Sequence, residues 1–102
     1  VAAYKSTTLI KLAEKYTELD WCMQLHIGAL RNNNTKMFKK LGADTGFDSI
    51  ADYSIAADLS RLLDAMEIND KLPKTILYTL NPKDNYVIGT MKDLVWLRLV
   101  VL

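Results

Sequence analysis

The stretch Trp21-Cys22-Met23-Gln24-Leu25-His26-Ile27-Gly28-Ala29-Leu30-Arg31-Asn32-Asn33-Asn34 alternates apolar and polar side chains as far as Ile27 and then becomes a polar loop. With the period of two that a strand imposes, Trp21, Met23, Leu25 and Ile27 share one face, and Cys22, Gln24 and His26 share the other. The first face suits a covering helix; the second suits a polar interior or a site. Gly28 permits a sharp exit from the strand, and Arg31 brings a fixed positive fork to within a few residues of the imidazole. His26, the one histidine of the chain, therefore falls at the carboxyl end of a strand, where α/β proteins carry their chemistry.

Upstream, Ser6 or Thr7 is placed to cap a helix whose apolar positions Leu9, Leu12, Ala13 and Tyr16 follow helical spacing, ending near Thr17 to Asp20. Downstream, a short helix is expected over Thr35 to Leu41, stopped by Gly42, followed by a long loop from Ala43 to Tyr53. Ser54 is placed to cap a helix with Ile55, Leu59, Leu62, Leu63 and Met66 along one stripe. Pro73 marks the entry to a second strand, Thr75 to Leu80, whose β-rich apolar run suits burial on both sides. Asn81-Pro82-Lys83-Asp84 starts a last helix, with Asn81 as cap, Pro82 at its first position and Val87, Ile88 and Met91 on its buried side. Two strands separated by helical material imply a parallel pair joined by a right-handed crossover, and so an α/β fold. The final run, Leu94 to Leu102, is compatible with a third strand, a continued helix, or a foreign tail from truncation or a shifted reading frame; exposed, it would be prone to aggregate.

At 102 residues the chain is one domain, and half of its residues are hydrophobic, which suits a packed core and argues against disorder. Thirteen basic against twelve acidic residues leave a formal charge of +1, with no concentrated field for nucleic acid or membrane surfaces. The single cysteine, Cys22, forms no internal disulfide; on a strand it reads as a reduced, buried thiol, which favours a cytoplasmic setting. No secretory leader is legible, and no apolar run approaches the roughly 20 residues that span a bilayer. The sequence begins mid-pattern with Val1, as an excised piece or a processed product would.

Of the residues that could carry chemistry, His26 is first, by its place at a strand's carboxyl end. Arg31 reads either as a solvated loop arginine or as a bidentate partner for a carboxylate. Asn32, Asn33 and Asn34 read as a loop that caps the next helix, with amides available to a hydroxyl-bearing ligand as the alternative. Asp44, Asp48 and Asp52 recur every four residues, but Gly46 breaks the helix that would align them, so they read as a solvated acidic loop rather than a metal site. Phosphate loops, paired-cysteine metal motifs and the Gly-x-Ser-x-Gly nucleophile turn are absent from the sequence.

The run Met23-Gln24-Leu25-His26-Ile27-Gly28-Ala29-Leu30-Arg31-Asn32-Asn33-Asn34 resembles the strand-and-loop signature of the uronate isomerases, a branch of the amidohydrolase superfamily. The likeness continues in order through Met37 to Gly42, Asp44 to Ile50, Leu59 to Asp64, Leu72 to Tyr78 and Leu80 to Asn85, covering roughly residues 5 to 92. That resemblance implies a partial TIM (β/α)8 barrel: an internal slice of two to three parallel strands with flanking helices, since a whole barrel needs about 250 residues. Residues 94 to 102 depart from the family, where a glycine-rich connection would be expected.

The activity that the resemblance implies is the aldose-ketose isomerisation of D-glucuronate to D-fructuronate and of D-galacturonate to D-tagaturonate, an intramolecular oxidoreduction aided by a divalent metal, with zinc as the expected ion. It implies that His26 is the catalytic and metal-proximal residue, that Arg31 contacts the uronic acid's carboxylate, and that Asn33 joins it in binding substrate. In the family the metal is held mainly by a His-x-His pair on the first strand and an aspartate on the last, segments this chain lacks. A working zinc site wants about three protein ligands, so the chain alone is expected to hold no metal tightly and to be inactive. Its expected partners are a uronic acid, and either further copies of itself or the remainder of a barrel; the competing reading is a non-catalytic structural or interaction domain.

Overall fold

The computed structural model describes residues 2–92 and 99–101. Its elements run α1 (Ala2–Glu18), β1 (Met23–Ile27), β2 (Ala29–Leu30), α2 (Thr35–Leu41), β3 (Ser49–Ile50), α3 (Ala56–Glu67), β4 (Thr75–Thr79), a 3-10 turn (Pro82–Asp84), α4 (Asn85–Met91) and β5 (Leu99–Val101). Three strands form a parallel sheet in the order β1-β4-β5, the expected α/β arrangement. The strand reading of the final run holds over Leu99–Val101; 94–98 and Leu102 lie outside the described residues.

The register of β1 on β4 decides which side chains meet. Met23 lies opposite Thr75, Leu25 opposite Leu77 and Ile27 opposite Thr79, while Gln24 lies opposite Ile76 and His26 opposite Tyr78. The first set faces the helices. Met23, Thr75 and Leu77 are buried there with Ala13 of α1, Leu59, Leu63 and Met66 of α3, Leu72, and Ile88 and Met91 of α4. This is the period-two alternation of a half-covered strand, with its polar set left on the opposite face.

Several local expectations change. Helix α1 begins at Ala2, so Ser6 and Thr7 lie inside it rather than at its cap. Its core-facing stripe is the buried Ala13 with the half-buried Leu9, Ile10 and Tyr16, whereas Leu12 is exposed. β1 starts at Met23; Trp21 instead stacks its ring on Tyr16, with centroids 5.9 Å apart. Cys22 is exposed, not buried, because it precedes the first paired residue and falls on the side of the strand without helices. Helix α3 is capped by Ile55 with no side-chain hydrogen bond, and Ser54 takes no part. β4 is fully covered only on the helix side, since Ile76 and Tyr78 remain half-buried on the other.

The expected loop from Ala43 to Tyr53 contains a strand. β3 pairs antiparallel with β2, Ala29 opposite Ile50 and Leu30 opposite Ser49, and the Ala51 amide donates to the Gly28 carbonyl at 2.7 Å. Gly28 adopts φ +99°, and a Cβ there would meet the Leu80 amide nitrogen at 3.5 Å. The chain thus turns sharply out of β1 while staying close to the end of β4. Helix α2 runs over the expected Thr35–Leu41, with the Asn34 side chain accepting from the Met37 amide and Gly42 following at φ +83°. The expected Asn81 cap is also formed: its Oδ1 accepts from the Lys83 amide at 3.1 Å.

Candidate functional site

His26 is the fourth of five residues in β1, and Tyr78 is the fourth of five in β4. Parallel pairing sets the two rings side by side near the carboxyl ends of both strands, with centroids 4.4 Å apart and planes inclined by 24°. The Tyr78 hydroxyl donates to Gln24 Oε1 at 3.2 Å, so Gln24, His26 and Tyr78 form one polar-aromatic group on the face away from the helices.

Arg31 follows β2 and reaches the same place. With His26, Tyr78, Thr79 and Leu80 it lines an open cavity of about 420 Å³, inside the roughly 300–1,000 Å³ range of small-molecule sites. Its guanidinium is already held by the acidic loop: Nη1 lies 2.8 Å from Asp48 Oδ2 and 3.5 Å from Asp44 Oδ1. Asp48 is fixed in turn, its Oδ1 accepting from the Asn32 amide at 2.8 Å. The Asn32 amide, and after it the Arg31 guanidinium, hold the Asp48 carboxyl below the usual carboxylate range.

Asn33 secures the loop that carries Arg31. Its Nδ2 donates to the Leu30 carbonyl at 2.7 Å and to the Phe47 carbonyl at 3.3 Å, and its backbone amide donates to Phe47 at 2.9 Å. A second tie closes the other flank: Lys83 Nζ donates to the Tyr53 carbonyl and lies 3.4 Å from Asp52 and 3.3 Å from the buried Asp84. Desolvation pulls the Lys83 ammonium down, but hydrogen bonds to Asp84 and Asp52 outweigh it and hold it above its ordinary value. The three aspartates that recur every four residues thus divide between two cations, Asp44 and Asp48 at Arg31 and Asp52 at Lys83.

The structure brings His26 and Arg31 into one cavity and places Asn33 in the hydrogen bonding beneath Arg31. Sequence reasoning missed Tyr78 and Asp48. The available signal for Tyr78 was its place one residue before the end of its strand, matching that of His26; for Asp48 there was no local signal, because its partners are 16 and 17 residues away. Among the described residues no three His, Cys, Asp or Glu side chains gather around one point. No helix among the described residues is long and apolar enough to cross a membrane.

Parallel strands covered by helices, with polar side chains gathered at their carboxyl ends, define an α/β unit of the kind that carries a small-molecule site at that end. A family model described as glucuronate isomerase matches residues 1–98, and the chain belongs to that family. It is 65% identical over 91 residues to the uronate isomerase of Caldanaerobacter subterraneus subsp. tengcongensis, covering 89% of this chain and 20% of that protein. It is 64% identical over 88 residues to the uronate isomerase of Actinobacillus succinogenes, covering 86% of this chain and 19% of that one. The crystal structure of uronate isomerase from Thermotoga maritima superposes with a TM-score of 0.85 at 32% identity, over 96% of this chain and 21% of that one. The chain spans about a fifth of the length of the curated relatives it matches.

Proposed function

We propose that this chain is a slice of a (β/α)8 barrel that contributes the uronate-facing end of two of its strands to a uronate isomerase site. The observation that carries the reading is that His26 of β1 and Arg31 of the loop after β2 line one cavity at the carboxyl end of a parallel pair. In a barrel of this class that end holds the active site, and the face bearing Gln24, His26 and Tyr78 points to the barrel interior.

The reaction is the aldose-ketose conversion of D-glucuronate, with D-galacturonate as the second substrate. Moving a hydrogen between adjacent carbons needs a group that takes and returns a proton and one that polarises the carbonyl; a divalent metal, zinc in this reading, would supply that polarisation when bound, with His26 among its ligands. His26 lies beside the reacting end as a proton-handling or metal-facing residue. Arg31 receives the substrate carboxylate through its planar fork, with Asp48 holding the fork in place. Asn33 commits both donors of its amide to backbone carbonyls, which leaves its Oδ1 for a sugar hydroxyl. The remaining donors are expected from segments outside the fifth of the relatives that these 102 residues match, so these residues alone bind uronate weakly and do not turn it over. The working environment is the cytoplasm.

The test is an isomerase assay of the purified chain with D-glucuronate and added zinc or manganese, beside His26→Ala, with the oligomeric state recorded. A folded monomer is expected to be silent. Robust metal-dependent turnover by a strict monomer contradicts the proposal.

A further inference from the structure

Histidines at reacting centres are commonly oriented by a hydrogen bond to one ring nitrogen, which fixes the ring and leaves the other nitrogen for chemistry. His26 is held differently. It lies exposed on β1, the outer strand of its sheet, and no hydrogen bond reaches either ring nitrogen among the described residues. What it has is a face: the Tyr78 ring at 4.4 Å, near the short end of the range for aromatic stacking. Tyr78 is itself constrained, because it is paired in register with His26 and its hydroxyl donates to Gln24, two residues before His26 on the same face of β1.

We infer that Tyr78 is the positioning residue of His26, fixing the imidazole plane through ring stacking, with Gln24 as its anchor, so that both imidazole nitrogens stay open to the cavity. The inference rests on the reading of His26 as a uronate-site residue. Its consequence for the chemistry is specific. A ring oriented through its face is free to present one nitrogen to a sugar oxygen and the other to a cation or a second oxygen, which a ring tied through Nδ1 or Nε2 cannot do. The aromatic ring is the necessary part, and the hydroxyl serves only to hold it.

The sole histidine makes the test direct, since its Hδ2 and Hε1 signals in the NMR spectrum of the 102-residue chain belong to one ring. In the unsubstituted chain these protons should show nuclear Overhauser contacts to the Tyr78 ring and an upfield ring-current displacement. Tyr78→Phe should keep the displacement. Tyr78→Leu should abolish it, with backbone amide signals away from the cavity unmoved. The inference is overturned if the unsubstituted chain has its histidine protons at the positions of an exposed histidine without contacts to Tyr78, a result that requires no variant to fold. Survival of the displacement in Tyr78→Leu overturns it as well. Adding D-glucuronate separates the two readings: a stacked ring that the sugar leaves unmoved supports the positioning role and counts against the uronate site, while an unstacked ring that the sugar moves does the reverse.

Discussion

Gly28 and Asp48 decide whether Arg31 reaches the cavity at all. Gly28 turns the chain out of β1 at φ +99°, a conformation that L side chains avoid. Gly28→Ala should cost about 1–3 kcal/mol in chemical denaturation and disturb the β2–β3 pairing next to it. Asp48 carries an electrostatic prediction with a definite sign. Its folded carboxyl titrates below its ordinary value of 3.8 because the Asn32 amide and then the Arg31 guanidinium favour the charged form. The stability it contributes is therefore complete above about pH 4 and is lost as pH falls through the lower folded value. Asp48→Asn should flatten that acid limb, and an unchanged limb in the variant would show that the contact is not formed. Because the pair is solvent-facing, the effect belongs to the low-salt range and should shrink as salt is added.

Among the elements, those whose partners lie nearby were the legible ones. Helix α2, bounded by Asn34 and Gly42, and the turn begun by Asn81 and Pro82 are set by side chains within three residues, so the sequence displays them. Ser54 looks like an equally good cap, yet α3 starts without one, because its position is fixed by burying Leu59, Leu63 and Met66 rather than by its end. The β2–β3 pair was not legible: two residues on each side carry no period, and pairing is decided by the turn at Gly28 and by Asp48 reaching back to Arg31. The exposure of Cys22 was missed for a related reason, since alternation tells which residues share a face but not which face has a covering layer. The His26 site was legible in its two polar residues and not in Tyr78, which reads as one more apolar strand residue until the register sets it beside His26. Packing tests separate these elements. Leu77→Ala, at a fully buried position of β4, should cost about 2–5 kcal/mol, whereas Asn34→Ala should cost about 1 kcal/mol and show itself as faster amide exchange over the first turn of α2 alone. Equal losses from the two would contradict the division between a packed core and an outlying helix.

At the scale of the molecule, the radius of gyration of 15.2 Å exceeds the ~13 Å of a compact domain of about 100 residues. The excess matches a sheet covered on one face, with α2, which buries no residue, standing off the core. β1 ends the sheet, and Trp21, Ile50, Leu80 and Tyr86 are each more than half exposed. An open strand edge and exposed apolar side chains each invite association with another chain. Sedimentation analysis should show self-association that grows with concentration, and a stable monomer at high concentration would contradict it. The cavity that His26 and Arg31 help to line is proposed to receive a uronate. The most direct test of this is an NMR titration of the chain with D-glucuronate, repeated on Arg31→Lys, which keeps the charge facing Asp48 but loses the fork. Shifts are expected to be confined to residues 26–31 and 78–80, and to be greatly weakened in Arg31→Lys while the remaining spectrum stays that of the folded chain. Shifts elsewhere, none at all, or an undiminished response in Arg31→Lys would contradict it.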